Sequence, residues 1–201
     1  MKKSRPLHRR QSAGFSLVEL LGVIAIILLM LTLTMTNLGS VGSSQRLANA
    51  GNLVTDLVNQ GRQSAKSRNS LVMLALVTTG QDAGRVLTLL EKPMGTAAWQ
   101  ANSKWEILPD GIIVDLAKSA DFVASSAPGL QPPPPPLHRG GATIAPGGYA
   151  YQIFLPDGRL LTANSTLPSL FLKKITDGDT PANYYKILIN PNTGIPFIQR
   201  P

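Results

Sequence analysis

From Gly14 to Leu38 the chain reads GFSLVELLGVIAIILLMLTLTMTNL, an apolar run broken by one carboxylate, Glu19. A helix that crosses a membrane needs about 20 mostly apolar residues, and Phe15 to Met35 supplies that length. A charge inside such a segment costs roughly 2.5–3.5 kcal/mol at the helix centre and less towards an end, so it marks a site whose partner has to be found. The residues ahead of the run are one-sidedly basic, with Lys2, Lys3, Arg5, Arg9 and Arg10 and no acid before Gly14. A leader of this kind stays cytoplasmic, which puts the rest of the chain on the far side of a single span. A secretory signal has an apolar core of about 7–15 residues with its small-residue cleavage site after it. Here the run is longer and the small residue, Gly14, precedes it. Without a side chain, Gly14 lets a protease draw the backbone into a closely held extended form, and a cut there spares the apolar helix.

The stretch Gly14-Phe15-Ser16-Leu17-Val18-Glu19-Leu20-Leu21 resembles the prepilin cleavage and methylation motif of type IV pilins and type II secretion pseudopilins. The resemblance implies that a prepilin peptidase/methylase cuts after Gly14 and methylates the new amino group on Phe15. It also implies a bacterial inner-membrane protein with an extracytoplasmic C-terminal head, in the periplasm or in a pilus. Its partners are other pilin or pseudopilin subunits and inner-membrane lipid. Glu19 is then the fifth residue of the mature chain, and its partner is the ammonium of a neighbouring subunit's Phe15. In a low-dielectric surrounding a matched pair gains more than on a surface, and an unmatched charge is costly, so Glu19 acts as a register key for assembly. The bland alternative is a plain signal anchor with an incidental carboxylate.

Charge narrows the function classes. The net charge of +8 falls to +3 once the five leader cations are set aside, a weak excess for a nucleic-acid binder. One local concentration remains. Arg46, Arg62, Lys66 and Arg68 share a helical segment with only Asp56 opposing them, and are candidate DNA contacts along a phosphate backbone. A solvated helix face accounts for them as well.

Beyond the apolar run, Leu47, Ala50, Val54, Leu57, Val58, Gly61 and Ala65 recur at three- and four-residue steps, the spacing of one helix face. Gly39, Ser40, Gly42, Ser43 and Ser44 intervene, where glycine's cost of up to about 1 kcal/mol predicts a bend or local melting. The expected organisation is a leader over 1–14, a transmembrane and assembly helix over 15–38, an amphipathic continuation over 39–68, and a β-rich head over 69–201. In the head, short apolar runs bounded by turn residues predict strands at 71–77, 85–90, 105–108, 112–114, 149–155, 159–163, 170–173, 185–189 and 195–199. Pro109-Asp110-Gly111, Pro156-Asp157-Gly158 and Asn190-Pro191-Asn192-Thr193-Gly194 carry the residues that tight turns require and predict hairpins. The fold class is α+β, pilin-like: one long N-terminal helix packed on an antiparallel sheet, with about 130 residues of head, enough for a core.

An arginine-bearing helix, an apolar strand, Trp105 before a Pro-Asp-Gly turn and a closing strand pair around 190–194 together resemble H-type minor pseudopilins and FimT-like minor pilins. The Tyr151-to-Arg159 hairpin is also similar to that of the Verru_Chthon cassette protein D group. Residues 124–148 depart from any strand pattern: Pro132 to Pro136 are consecutive and favour polyproline II, which has no internal hydrogen bonds. This segment is expected on the surface, as a contact for another subunit or cargo or as a tolerated insertion. Trp99 and Trp105 are expected in the core.

Enzymatic chemistry finds no purchase. The chain has no Cys and two His, of which His8 leaves with the leader and His138 stands alone in the proline loop. A triad or zinc site needs an imidazole or thiolate beside further ligands. Asp177 and Asp179 offer oxygens to calcium without a complete ligand series, and an acidic turn explains them. No catalytic residue, metal or cofactor is therefore expected. The function expected is that of a minor subunit of a type II secretion pseudopilus or type IV pilus, with a DNA- or cargo-binding module on such a fibre as the alternative.

Overall fold

The computed structural model describes residues 16–120, 122, 136–145, 148–161 and 167–201, with side chains of 33–41 outside that description. The chain divides into two compact units, Met1–Val41 and Gly42–Pro201. One helix, α1 (Leu17–Arg68), is shared between them. The local melting expected at 39–44 does not occur: the backbone is helical through Gly39 and Gly42, because isolated glycines lower helix propensity without removing a hydrogen bond. The helix stops where Asn69 turns left-handed at φ 48°, a conformation asparagine accepts at helix ends, and Lys66 and Arg68 sit in the last turn, favoured by the helix dipole.

In the first unit the described residues are the start of α1, rich in leucine, isoleucine and methionine, which hold a helix well or tolerably. In the second unit α1 continues beside the strands β1 (Ser70–Val77), β2 (Val86–Pro93), β3 (Gln100–Ala101), β4 (Glu106–Ile107), β5 (Ile112–Val114), β6 (Leu137–Arg139), β7 (Ala142–Ile144), β8 (Tyr149–Phe154), β9 (Ser169–Lys174), β10 (Tyr185–Ile189) and β11 (Pro196–Gln199). They form a first sheet ordered β3-β2-β1-β8, with β4 also on β2, a second sheet ordered β11-β10-β9-β5, and a separate β6-β7 hairpin. All these pairings are antiparallel, and the class is α+β.

The main core joins Leu47, Ala50, Val54, Leu57, Val58 and Ala65 of α1 to Val72, Leu74 and Leu76 of β1, Leu87 and Leu89 of β2, and Leu170, Leu172, Ile187 and Ile189 of the second sheet. Small helix residues set the approach. A Cβ on Gly51 would overlap the Tyr185 ring, and one on Gly61 would lie 3.1 Å from both Leu89 and Phe154. The opposite face of β1 is buried too: Met73 and Ala75 join Tyr149, Tyr151, Ile153 and Leu137 in a second cluster. This explains why β1 reads as an uninterrupted apolar run rather than an alternating one.

Three expectations need correction. Pro109-Asp110-Gly111 does not close a hairpin, because β4 pairs with β2 in the first sheet while β5 pairs with β9 in the second. The turn carries the chain from one sheet to the other. The stretch 124–148 is not loop throughout: residues 137–144 form a hairpin across Gly140 and Gly141, both at positive φ, and Leu137 is only 2% exposed. Apolar residues at 137 and 144 cover the first sheet's outer face, so this part is structural. Residues 123–135 lie outside the described residues. The run expected as a strand at 159–163 contributes one isolated bridge, Phe154 to Leu160, with 162–166 outside the described residues.

The Asn190–Gly194 turn joins β10 to β11 and has no room for change. Gly194 sits at φ 65°, and a Cβ there would collide with the carbonyl oxygen of Gly158 and stand 3.2 Å from the Arg62 side chain. Left-handed strain of about 1–3 kcal/mol adds to overpacking of about 1–3 kcal/mol. Gly194→Ala is accordingly expected to destabilise the chain by about 2–6 kcal/mol in denaturant unfolding, whereas Gly178→Ala, where a Cβ meets nothing within 4 Å, should change little.

An ion pair braces the second sheet. Lys173 of β9 places its Nζ 2.8 Å from Asp115, just past β5, with both side chains nearly buried. Burial pushes the Asp115 carboxyl up, but the Lys173 hydrogen bond and charge, the Ala117 amide and Lys118 outweigh it and hold it below its ordinary 3.8. The Asp115 hydrogen bond, with the charges of Asp115, Asp179 and Asp177, lifts Lys173 above 10.5 against its desolvation. A depressed carboxyl stabilises the fold above its unfolded pKa and loses that contribution as pH falls through the folded one; a raised amine does the reverse. The pair's contribution is therefore complete between about pH 4 and 10.5 and decays outside that window. Thermal unfolding followed from pH 7 to pH 2 should show a steeper acid fall for the parent chain than for Asp115→Asn.

Candidate processing and assembly site

The sequence places Gly14, Phe15 and Glu19 together at the start of the apolar run. Gly14, Phe15 and the basic leader lie outside the described residues; Glu19 lies within them. It occupies the first turn of α1, where the helix dipole favours a negative charge. Its local partner is one that the sequence reading passed over: the Ser16 amide donates to Glu19 Oε2 at 3.0 Å, and the Glu19 amide donates to Ser16 Oγ at 3.3 Å. This reciprocal pair is a capping box, and its signal, serine followed three residues later by glutamate, was present in Ser16-Leu17-Val18-Glu19. Glu19 therefore has a structural task within its own chain: it ends the helix cleanly beside the expected cut.

Every described side chain from Ser16 to Thr32 is exposed. Leu17 is 78%, Leu29 63% and Ile24 48% accessible. An exposed apolar surface of this extent calls for a partner, and nothing among the described residues covers it. No helix among the described residues is long and apolar enough to cross a membrane.

The four basic residues fare differently. Arg62 donates from Nε to the Thr193 carbonyl at 2.6 Å, and Arg68 pairs with the nearly buried Glu91 at 2.6 Å. Lys66 lays its aliphatic chain along Gly158, and Arg46 reaches back to the Gly42 carbonyl at 3.3 Å. Arg62 and Lys66 thus stitch α1 to the two turns at 156–158 and 190–194 rather than forming an open cationic track. His138 sits in β6 with Nδ1 3.2 Å from Thr143 Oγ1. Among the described residues no three His, Cys, Asp or Glu side chains gather as a metal site. The Asp177–Asp179 turn has the Lys173 ammonium beside it, 3.4 Å from the Gly178 carbonyl.

With Ser16 and Glu19 placed, the comparison with known families becomes informative. Residues 9–35 match the prokaryotic N-terminal methylation motif. That match is to an N-terminal motif and leaves the remainder of the chain unmatched. Gly14, Phe15 and Glu19 all lie within the matched residues. Two solved structures of the minor pseudopilin EpsH, from the type 2 secretion system of Vibrio cholerae, are similar to the chain. Both are 12% identical, with TM-scores of 0.44 and 0.45, and cover 78% and 77% of this chain and 96% and 94% of their own. No curated protein matches the chain.

Proposed function

We propose that this chain is a prepilin-like precursor, cut after Gly14 by a prepilin peptidase, N-methylated at Phe15, and built as a minor subunit into a type II secretion pseudopilus or type IV pilus. The observation that carries this reading is the wholly exposed apolar start of α1 with Glu19 in its first turn, inside a methylation motif over residues 9–35. Before assembly the inner-membrane lipid covers that surface, with the basic leader cytoplasmic and the head beyond the membrane. After assembly, neighbouring helices take the place of lipid. Cutting creates an ammonium on Phe15, and Glu19 of an adjacent subunit is the carboxylate that neutralises it.

The chain itself performs no chemistry in this account; the peptidase supplies both reactions. The minor-subunit assignment rests on the head's sequence pattern, an arginine-bearing helix and a closing hairpin at 190–194. The DNA-holding alternative has no observation in its favour, since Arg62 and Arg68 are engaged within the head. Expression beside an active prepilin peptidase is expected to shorten the chain by its first 14 residues, and an inactive peptidase should leave it full length. A chain that stays full length beside the active enzyme contradicts the proposal.

A further inference from the structure

The second sheet ends in a strand whose far side is open. The register of β11 on β10 sets Lys186 opposite Gln199, Ile187 opposite Ile198, Leu188 opposite Phe197 and Ile189 opposite Pro196, and two hydrogen bonds fix its phase. The Asn190 amide donates to the Ile195 carbonyl at 3.0 Å, while the Ile189 amide donates away from β11, to the Pro168 carbonyl at 2.8 Å. Bonded and unbonded pairs alternate along an antiparallel ladder, so Phe197 and Gln199 bond to β10 and the main-chain groups of Pro196, Ile198 and Arg200 point outwards. No strand among the described residues lies on that side. The side chains are open as well, Phe197 being 45% and Ile198 37% exposed. Pro196 has no amide to offer, but Ile198 and Arg200 keep theirs, and an apolar edge with free amides is a template for another strand.

Charge selects the kind of strand. Arg200 stacks its guanidinium 4.2 Å from the centre of the Tyr185 ring, on the face of the sheet that carries Ile198. Lys186 lies on the opposite face, beside Gln199. Neither cation belongs to an ion pair among the described residues. We infer that the β11 edge takes an extended segment of another protein by strand addition, and that this segment carries two successive acidic residues followed by apolar ones. Running antiparallel, it enters at Arg200. Its first acid lies opposite Arg200 and its second beside Gln199 and Lys186, one on each face because side chains alternate along a strand. The apolar residues then lie opposite Ile198, Phe197 and Pro196. The segment accepts from the Ile198 and Arg200 amides and donates to the Pro196 and Ile198 carbonyls. No residue of α1 takes part, so the inference does not rest on the processing and assembly proposal.

The probe is a fluorescein-labelled peptide, Thr-Glu-Glu-Val-Phe-Val-Thr, read by fluorescence anisotropy against the full chain in detergent with a detergent-only blank. Saturable binding is expected. Arg200→Ala should weaken it about fivefold. Ile198→Pro should weaken it about tenfold while leaving the β10 ladder whole, because the amide it removes faces outwards. Methylating the probe's own amides asks the same question without altering the protein. Methyl groups on alternate residues should abolish binding in one phase and leave it within about twofold in the other, since only every second residue bonds the edge. Absence of saturable binding overturns the inference. So does an equal loss in both methylation phases, which makes the contact one of side chains alone. So does a parent that sediments as a dimer while Ile198→Pro sediments as a monomer, which makes the occupant a second copy.

Discussion

Gly14→Val is expected to leave the precursor uncut in the membrane fraction, with processing slowed about 100-fold. The peptide bond after residue 14 has to enter a protease in extended form with its backbone held close, and a branched Cβ keeps it at a distance. A displacement near 1 Å at a reacting bond costs on the order of 100-fold. The substitution leaves the apolar run from Phe15 untouched, so insertion and the folded head should be preserved. Immunoblotting of membranes separates the two forms by their difference of 14 residues. Normal amounts of mature protein from this variant would place the cut elsewhere.

The second large effect belongs to Glu19, and two substitutions divide its roles. Within its own chain the carboxylate closes a capping box with Ser16, a contribution of about 0.5–2 kcal/mol. Between chains, in the proposed assembly, it would neutralise an ammonium otherwise left uncompensated at a cost of about 3–5 kcal/mol, or more than about a hundredfold in the assembly equilibrium at 1.4 kcal/mol per decade. Glu19→Gln can still accept the Ser16 amide but has no charge; Glu19→Val has neither. Both variants are expected to be cut normally and to remain membrane-bound while failing to enter fibres, as read by co-purification with the other subunits. Assembly of Glu19→Gln at the parent level alongside failure of Glu19→Val would reduce the residue to a helix cap.

How much of this could be seen in the chain beforehand depends on whether a feature is local. β1 was legible because a strand buried on both faces has to be apolar throughout, and Leu71 to Val77 is. The end of α1 at Arg68 and the turn at 190–194 were legible because the residues themselves, Asn69 and Gly194, adopt the positive φ that ends a helix or tightens a turn. The β6-β7 hairpin was hidden by composition: the surrounding prolines and glycines masked Gly140-Gly141, whose paired positive φ is the signature of a tight two-residue hairpin. The destination of Pro109-Asp110-Gly111 was not legible, since which sheet β4 and β5 join is decided by distant β2 and β9. At the site, the Ser16–Glu19 box was a local signal read only for its charge. The partners of Arg62 and Arg68 lie 131 and 23 residues away, and no spacing rule announces them.

The account depends on a cut that exposes a new amino terminus for Glu19 to meet. Mass spectrometry of the N-terminal peptide, from protein taken out of its native envelope, reads that event directly. The expected terminus is Phe15 carrying one added methyl group. A chain that still begins at Met1 would contradict both the processing and the subunit-pairing role of Glu19.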